Sequence, residues 1–300
     1  MGISAVNGIT LANISAIKGI AKTDTESFLG IDKESLVTIV NWDFNSTTGT
    51  GSPSNATLPS GWAVSKNNNW LVHTAEGSTT QTYSHTNSNR AWCFEHGQTG
   101  SGVTGPGAGL ADGIGASDGS WHVHSNAAGN SAYRYMVFES SNPGGHSSQV
   151  RRFMIRTGAL DLSSYSSVTM HFWFHMYGAK IGQLGIAATD SATEADSGNQ
   201  AGTGLGFTAD DTGGATITYD SNGDGTLDAS GVRITGQQQS SGNAFSATQN
   251  STNKWRKATV NLDNAAGQSS VYIYFLCCTV AHSQYWKSDM AIDNLYLVGS

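Results

Sequence analysis

Residues 168–186 read VTMHFWFHMYGAKIGQLGI, and no other stretch restricts the fold so tightly. Its first ten residues are dominated by aromatic and β-branched side chains, which suit a pleated, buried surface. At a period of two, Met170, Phe172, Phe174 and Met176 point one way, and His171, Trp173, His175 and Tyr177 point the other. One face is apolar and its opposite is aromatic with polar tips, so the segment is expected to be a central strand where two sheets meet. Gly178 and Gly182 supply the backbone freedom that a turn needs, and the chain is expected to return as a second strand over 183–188.

The rest of the chain alternates short apolar runs with turn residues. Charged residues are 12%, about half the usual share, while Gly is 37 of 300 residues and Pro only 4. Such a chain favours an all-β architecture with many turns, and its length suits one large β domain or two small ones. The formal net charge of -7, with no basic run, argues against a nucleic-acid-binding surface, because phosphate contacts need clustered Lys and Arg. No span is long and apolar enough for a transmembrane helix.

Strands are expected from 36 onward, with Val37, Ile39, Trp42 and Phe44 on alternating positions, and then near 70–74, 91–95, 121–124, 133–140 and 150–156. Further strands are expected over 254–262, 270–278 and 290–298. Val271, Ile273 and Phe275 lie opposite Tyr272, Tyr274 and Leu276, so both faces of that strand are apolar or aromatic and it reads as central. Ser/Thr/Gly-rich loops separate these runs at 45–60, 97–119 and 190–250, and no helical period intervenes, which favours a sandwich over a βαβ fold. Cys93, Cys277 and Cys278 are an odd number, and the adjacent pair must face opposite sheet surfaces. A disulfide framework is not expected, and the three read as small core hydrophobes.

Residues 171–184, HFWFHMYGAKIGQL, resemble the signature strand and turn of the MAM domain, an adhesive β-sandwich module of animal cell-surface proteins. Support comes in the same order along the chain from Trp42-Asp43-Phe44, Gly61-Trp62, Trp70, YRYMVFE at 133–139, WRKA at 255–258 and SDMAIDN at 288–294. The resemblance covers roughly residues 40–300 and implies an antiparallel jelly roll. Animal MAM domains carry paired cysteines and this chain does not, a departure that points to assembly in a reducing cytoplasm. In sandwiches of this kind an acid near the first strand and another in the last can meet a structural cation. The matching positions here are Asp43 and Asp293, with Asp118 able to approach from the intervening loop.

The first twenty residues are of a different character from the rest of the chain. ISAVNGI at 3–9 returns as ISAIKGI at 14–20, eleven residues later. A signal peptide would need a basic start and an uninterrupted apolar stretch, and neither is present. This apolar but Gly- and Asn-broken segment is expected to become ordered by docking on something else. It resembles the amino-terminal segments of marine bacteriophage virion structural proteins. An N-terminal strand of the sandwich itself is the plainer reading of the same residues.

The sharpest chemical motif is DSNGDGTLD at 220–228. Asp220, Asn222, Asp224 and Asp228 place side-chain oxygens at loop positions one, three, five and nine, Thr226 would add its carbonyl at seven, and Gly225 sits at six for the sharp turn. Hard oxygen ligands at that spacing suit Ca²⁺. The bidentate Glu of an EF-hand is missing, because Gly231 holds position twelve, and the same residues would also make a hairpin rich in Asx-turns. Nine histidines invite a metal or catalytic reading, yet His122 with His124 lacks a third ligand, and His171 with His175 reads as packed rings. No Glu-x-Asp-x-Glu run, Gly-x-Ser-x-Gly elbow or phosphate-binding Gly-rich Lys loop is present, so no enzyme is expected.

The expected organisation is an anchor and linker at 1–33 followed by an all-β, MAM-like jelly-roll sandwich at 34–300. The expected function is that of a bacteriophage virion structural protein, a capsid decoration or a tail or fibre appendage, assembled in the host cytoplasm. Residues 1–32 would dock on other virion proteins, and the sandwich, repeated by particle symmetry, would face host-surface glycans or proteins. The alternative is a carbohydrate-binding lectin or cell-surface adhesin not tied to a virion.

Overall fold

The computed structural model describes residues 5–6, 9–10, 16–17, 20–21, 36–45, 47, 58–64, 69–73, 80–84, 92–96, 106, 134–138, 152–190, 192, 214–239, 255–280 and 287–300. The expected strand at 121–124, with His122 and His124, lies outside them, as do Asp118 and most of the Gly-rich loop at 97–119. Two compact units divide the chain: Met1–Val37 with Ser300, and Thr38–Gly299. Among the described residues no helix is long and apolar enough to cross a membrane.

In the first unit β1 (Ala5–Val6) pairs with β2 (Ile9–Thr10), and β3 (Ala16–Ile17) pairs with β4 (Ile20–Ala21). The registers are Val6↔Ile9 and Ile17↔Ile20, so the sequence repeat becomes a repeat of tiny antiparallel hairpins.

The second unit holds β5 (Val37–Trp42) apart from its first residue, then β6 (Ala63–Val64), β7 (Asn69–His73), β8 (Thr80–Ser84), β9 (Trp92–His96), β10 (Arg134–Phe138) and β11 (Arg152–Arg156). It continues through β12 (Val168–Met176), β13 (Ile181–Thr189), β14 (Ile217–Tyr219), β15 (Ala229–Gly231), β16 (Ile234–Thr235), β17 (Arg256–Asn261), β18 (Tyr272–Thr279) and β19 (Met290–Gly299). An eight-stranded sheet runs β15-β14-β17-β12-β19-β10-β9, with β5 also paired to β19, and a five-stranded sheet runs β16-β13-β18-β11-β6. β7 and β8 pair with each other. The two antiparallel sheets form a β-sandwich.

β12 is central, as its sequence requires. Val168, Met170, Phe172, Phe174 and Met176 are fully buried between the sheets, where they meet Ala258 and Val260 of β17 and Ile292, Leu295 and Leu297 of β19 in one apolar cluster. Leu184 and Ile186 of β13 and Ile273, Phe275 and Cys277 of β18 join that cluster. Each large side chain removed from water contributes about 1.5–3 kcal/mol. β18 stands mid-sheet and is buried on both faces, with Tyr274, Leu276 and Cys278 opposite the core-facing set. Cys277 and Cys278 are buried thiols outside any disulfide, and burial pushes the Cys277 thiol well up, so it stays protonated.

Two details depart from the simple alternation. The turn after β12 does not close a hairpin, because β12 belongs to the eight-stranded sheet and β13 to the five-stranded one; the link passes between layers. Between the pairs His171↔Tyr296 and Trp173↔Asp293, Phe172 of β12 faces both Asn294 and Leu295 of β19, a β-bulge. Asn294 takes a φ of 45°, and the bulge switches which residues of β19 face the core, from Met290 and Ile292 to Leu295 and Leu297. Asn enters the left-handed region at lower cost than other non-glycine residues. Asn294→Gly is therefore expected to retain more stability than Asn294→Ala by about 1 kcal/mol, read from urea unfolding; equal losses would show that φ is not what selects Asn here.

Candidate functional site

Among the described residues, three places on the sandwich gather polar chemistry. The first is the 220–228 loop, which links β14 and β15 across the register Tyr219↔Ala229. Asp220 is fully buried and organises the turn: its Oδ1 accepts from the backbone N–H of Asn222 (3.1 Å) and Gly223 (2.6 Å), and its Oδ2 from that of Gly225 (2.9 Å). Gly223 and Gly225 hold φ of 84° and 89°, which side-chain-bearing residues rarely adopt. Asp228 Oδ1 accepts from Ser221 N–H at 2.8 Å, and Asp224 Oδ1 from Thr226 N–H at 2.7 Å. Asp224's carboxyl is held below its ordinary range, first by the backbone and side-chain hydrogen bonds of Thr226 and then by Asn222.

The sequence-expected ligands thus come together in one loop, but their oxygens are turned to the loop's own donors. The Asn222 amide nitrogen bridges Asp224 Oδ2 (3.2 Å) and Asp228 Oδ2 (3.0 Å), where a cation would otherwise join them. Among the described residues no three His, Cys, Asp or Glu side chains are grouped to hold a metal ion. The donor set fits Ca²⁺ in kind, as hard oxygens, and would need Asn222 to turn its amide.

Sequence reasoning missed the loop's counter-charge. Arg256, the first residue of β17 and only 5% exposed, donates from Nη1 to the carbonyl oxygen of Ser221 and at 3.5 Å to Gln238 Oε1. Burial pushes its pKa down, while Asp220 and then Asp228 push it back up. The WRKA run at 255–258 carried this cation, but nothing in its spacing tied it to a loop thirty residues upstream.

The second place is the outer face of β12. Trp173 and His175 are 2% and 1% exposed, and His175 meets Trp255 edge-on at 5.9 Å, with Tyr135 beyond it at 5.7 Å. His171 stacks on Tyr296 at 4.8 Å, and the Lys257 ammonium lies 5.7 Å from the centre of a Trp173 ring. Asp293, paired across from Trp173, is fully buried, and its Oδ1 accepts from Asn294 N–H.

The third place is a pocket of about 200 Å³ at the end of β5, lined by Asn41, Trp42, Asp43, Phe44, Thr47, Leu58 and Pro59. Phe44 holds a φ of 58°, a strained value for an aromatic residue. Its carbonyl accepts from both the N–H (2.9 Å) and the hydroxyl (2.6 Å) of Thr47, closing a turn. The ring enters the core against Phe94 and Trp62, while half-buried Asp43 lines the pocket and accepts from Asn45 N–H at 3.1 Å. Asn45 Oδ1 in turn accepts from Arg134 N–H of β10. Trp42 meets Trp62 edge-on at 5.2 Å, and Trp62 stacks on Phe275 of the other sheet. Asp43 stands just past the end of β5 and lines the pocket, and Asp293 lies within β19, the strand with which β5 pairs.

No protein-family model matches the chain, and no curated protein does. Among solved structures it is similar to the K1 cleaved adhesin domain of Lys-gingipain from Porphyromonas gingivalis W83, at 15% identity over 88% of this chain and 99% of that one, with a TM-score of 0.37. The K3 cleaved adhesin domain of the same protein aligns at 11% identity over 89% and 100%, also with a TM-score of 0.37. A carbohydrate-binding module described for specific mannan recognition, TmCBM27, aligns at 10% identity over 89% and 99%, with a TM-score of 0.29.

The sheet-face cluster carries a pH dependence. Burial, and then the Lys257 charge, push the His171 pKa from 6.5 down to about 4. The unfolded chain therefore takes up a proton that the folded chain refuses. The stability tied to neutral His171 is whole above pH 6.5 and is lost as pH falls toward 4. His171→Phe is expected to flatten the fall in unfolding free energy between pH 7 and 4 by on the order of 2 kcal/mol; an unchanged slope in urea titrations would place the proton uptake elsewhere.

Proposed function

We propose that the chain is a display module of a bacteriophage virion, in which the N-terminal unit docks on other virion proteins and a MAM-like sandwich presents an adhesive surface. The observation that carries this reading is the tandem of hairpins at 5–10 and 16–21. Two-residue strands bury too little to be stable alone, so a unit built from them gains from docking on a larger surface. The resemblance of ISAVNGI to the leading segments of phage virion proteins supplies that surface, and copies repeated by particle symmetry would bind avidly through many weak contacts. No catalytic role is proposed.

A second reading, a glycan-binding lectin or adhesin, is favoured by the pocket beside Trp42, where an aromatic ring and a carboxylate share one wall. The two readings are compatible if the displayed surface recognises host glycans. We also propose that Asp220, Asn222, Asp224, Thr226 and Asp228 bind Ca²⁺ once the Asn222 amide turns its oxygen inward, which would stiffen the loop.

Deleting residues 1–32 is expected to leave the melting temperature of the sandwich unchanged and to abolish incorporation into particles. A truncated chain recovered on particles at full copy number would overturn the docking role. Ca²⁺ at a hundredfold excess over its Kd is expected to stabilise the full chain by about 2.7 kcal/mol and to have little effect on Asp224→Asn; equal melting curves with Ca²⁺ and with a chelator would sink the calcium proposal.

A further inference from the structure

We propose that the pocket at the end of β5 is a subsite for a single neutral sugar ring. The proposal rests on the glycan-binding reading above and gives it a location. At liquid density a water occupies about 30 Å³, so a pocket of about 200 Å³ holds roughly seven waters' worth of volume. That is room for one pyranose, and it is below the roughly 300–1,000 Å³ of pockets that enclose larger ligands.

The lining suits a polyol. Trp42 is partly exposed, and its edge-on contact with the buried Trp62 at 5.2 Å holds the indole in one orientation. A flat apolar wall of this kind takes the C–H face of a sugar, as aromatic rings take other apolar surfaces. Beside it, Asp43 has Oδ1 accepting from Asn45 N–H, and a carboxylate, with about four lone-pair sites, can accept from sugar hydroxyls as well. The exposed Asn41 side chain has both a donor and an acceptor, and Thr47, whose hydroxyl donates to the Phe44 carbonyl, retains lone pairs to accept. A charge-assisted hydrogen bond to a carboxylate is about twice as strong as a neutral one, so Asp43 is the main polar anchor.

The wall is also pre-set. The positive φ of Phe44 places Asp43 and the core-bound ring on either side of one tight turn, and Asn45 ties that turn to β10. Backbone held in a sparsely populated region persists only where its surroundings over-determine it, and such positions cluster at ligand clamps. A methylated ammonium would suit an acid beside aromatic rings, but cages for such cations enclose the guest in several rings. Here, among the described residues, Trp42 is the one lining aromatic that is not buried, since Phe44 is only 2% exposed.

The test uses the full chain and saturation-transfer NMR with methyl glycosides of glucose, galactose, mannose and N-acetylglucosamine, with tetramethylammonium as the cation control. At least one glycoside is expected to bind at millimolar affinity, and Asp43→Asn and Trp42→Ala to weaken it about tenfold or more, with Asp190→Asn, an exposed residue just past β13 and outside the pocket, unchanged. Asp43→Asn is near-isosteric, so it reports on the site even if Trp42→Ala melts. If oligosaccharides on a glycan array bind and neither pocket variant weakens them, the subsite is wrong and the glycan reading survives. If no glycoside and no arrayed glycan binds, both fall, and preferential binding of tetramethylammonium replaces the sugar with a cation.

Discussion

The structure depends on two strands that are covered on both faces over most of their length. β12 in the eight-stranded sheet and β18 in the five-stranded sheet are each flanked by strands and packed above and below. In a two-layer sandwich one face of a strand is ordinarily wet, and alternation of apolar with polar residues reports which face that is. Here Trp173, His175, Tyr274 and Leu276 occupy the faces turned away from the core and are nonetheless buried. The outer faces of both sheets are therefore covered at these residues. Polar atoms on those faces must be met by protein rather than by water, and this is why histidine, tyrosine and tryptophan, each apolar in body and polar at one tip, are the residues found there.

That requirement is also what made the architecture readable from sequence. A run such as HFWFHM cannot be satisfied by a half-exposed strand or by an isolated hairpin, and the same holds for YIYFLCC in β18. The positions of β10, β11, β17 and β19 followed from similar local patterns, to within about two residues at most ends. What could not be read was the connection between layers. A turn with Gly178 and Gly182 looks alike whether it folds a strand back onto its neighbour or carries it across to the facing sheet, because local φ freedom serves both. The bulge at Asn294 was equally hidden, since a residue's entry into the left-handed region depends on the strand opposite as much as on itself.

The chemistry was legible in part. Oxygen-bearing residues at alternate positions of the 220–228 loop mark a tight acidic turn whatever occupies it, and Asp220, Asn222, Asp224 and Asp228 do converge there. The partner that balances their charge, Arg256, comes from a strand distant in sequence, and only the pairing of β14 with β17 brings it near. Trp42 and Asp43 stood out as a motif, but the pocket beside them depends on Leu58 and Pro59 arriving from the far side of a loop, and on the backbone reversal at Phe44. Sequence reveals the residue types a site can use; long-range pairing decides which of them meet.

The order of the strands in space has a consequence for how such a chain reaches its native state. β19 lies between β12 on one side and β10 and β5 on the other, so the middle of the larger sheet is the segment that a ribosome makes after all of its neighbours. Until residues 290–299 emerge, β12 and β10 present unpaired edges and uncovered aromatic rings, the combination most prone to pairing with another chain. Closure of the eight-stranded layer is therefore a late, long-range event, in the slow regime of non-local β topologies. A nascent chain of this kind needs shelter more than it needs speed.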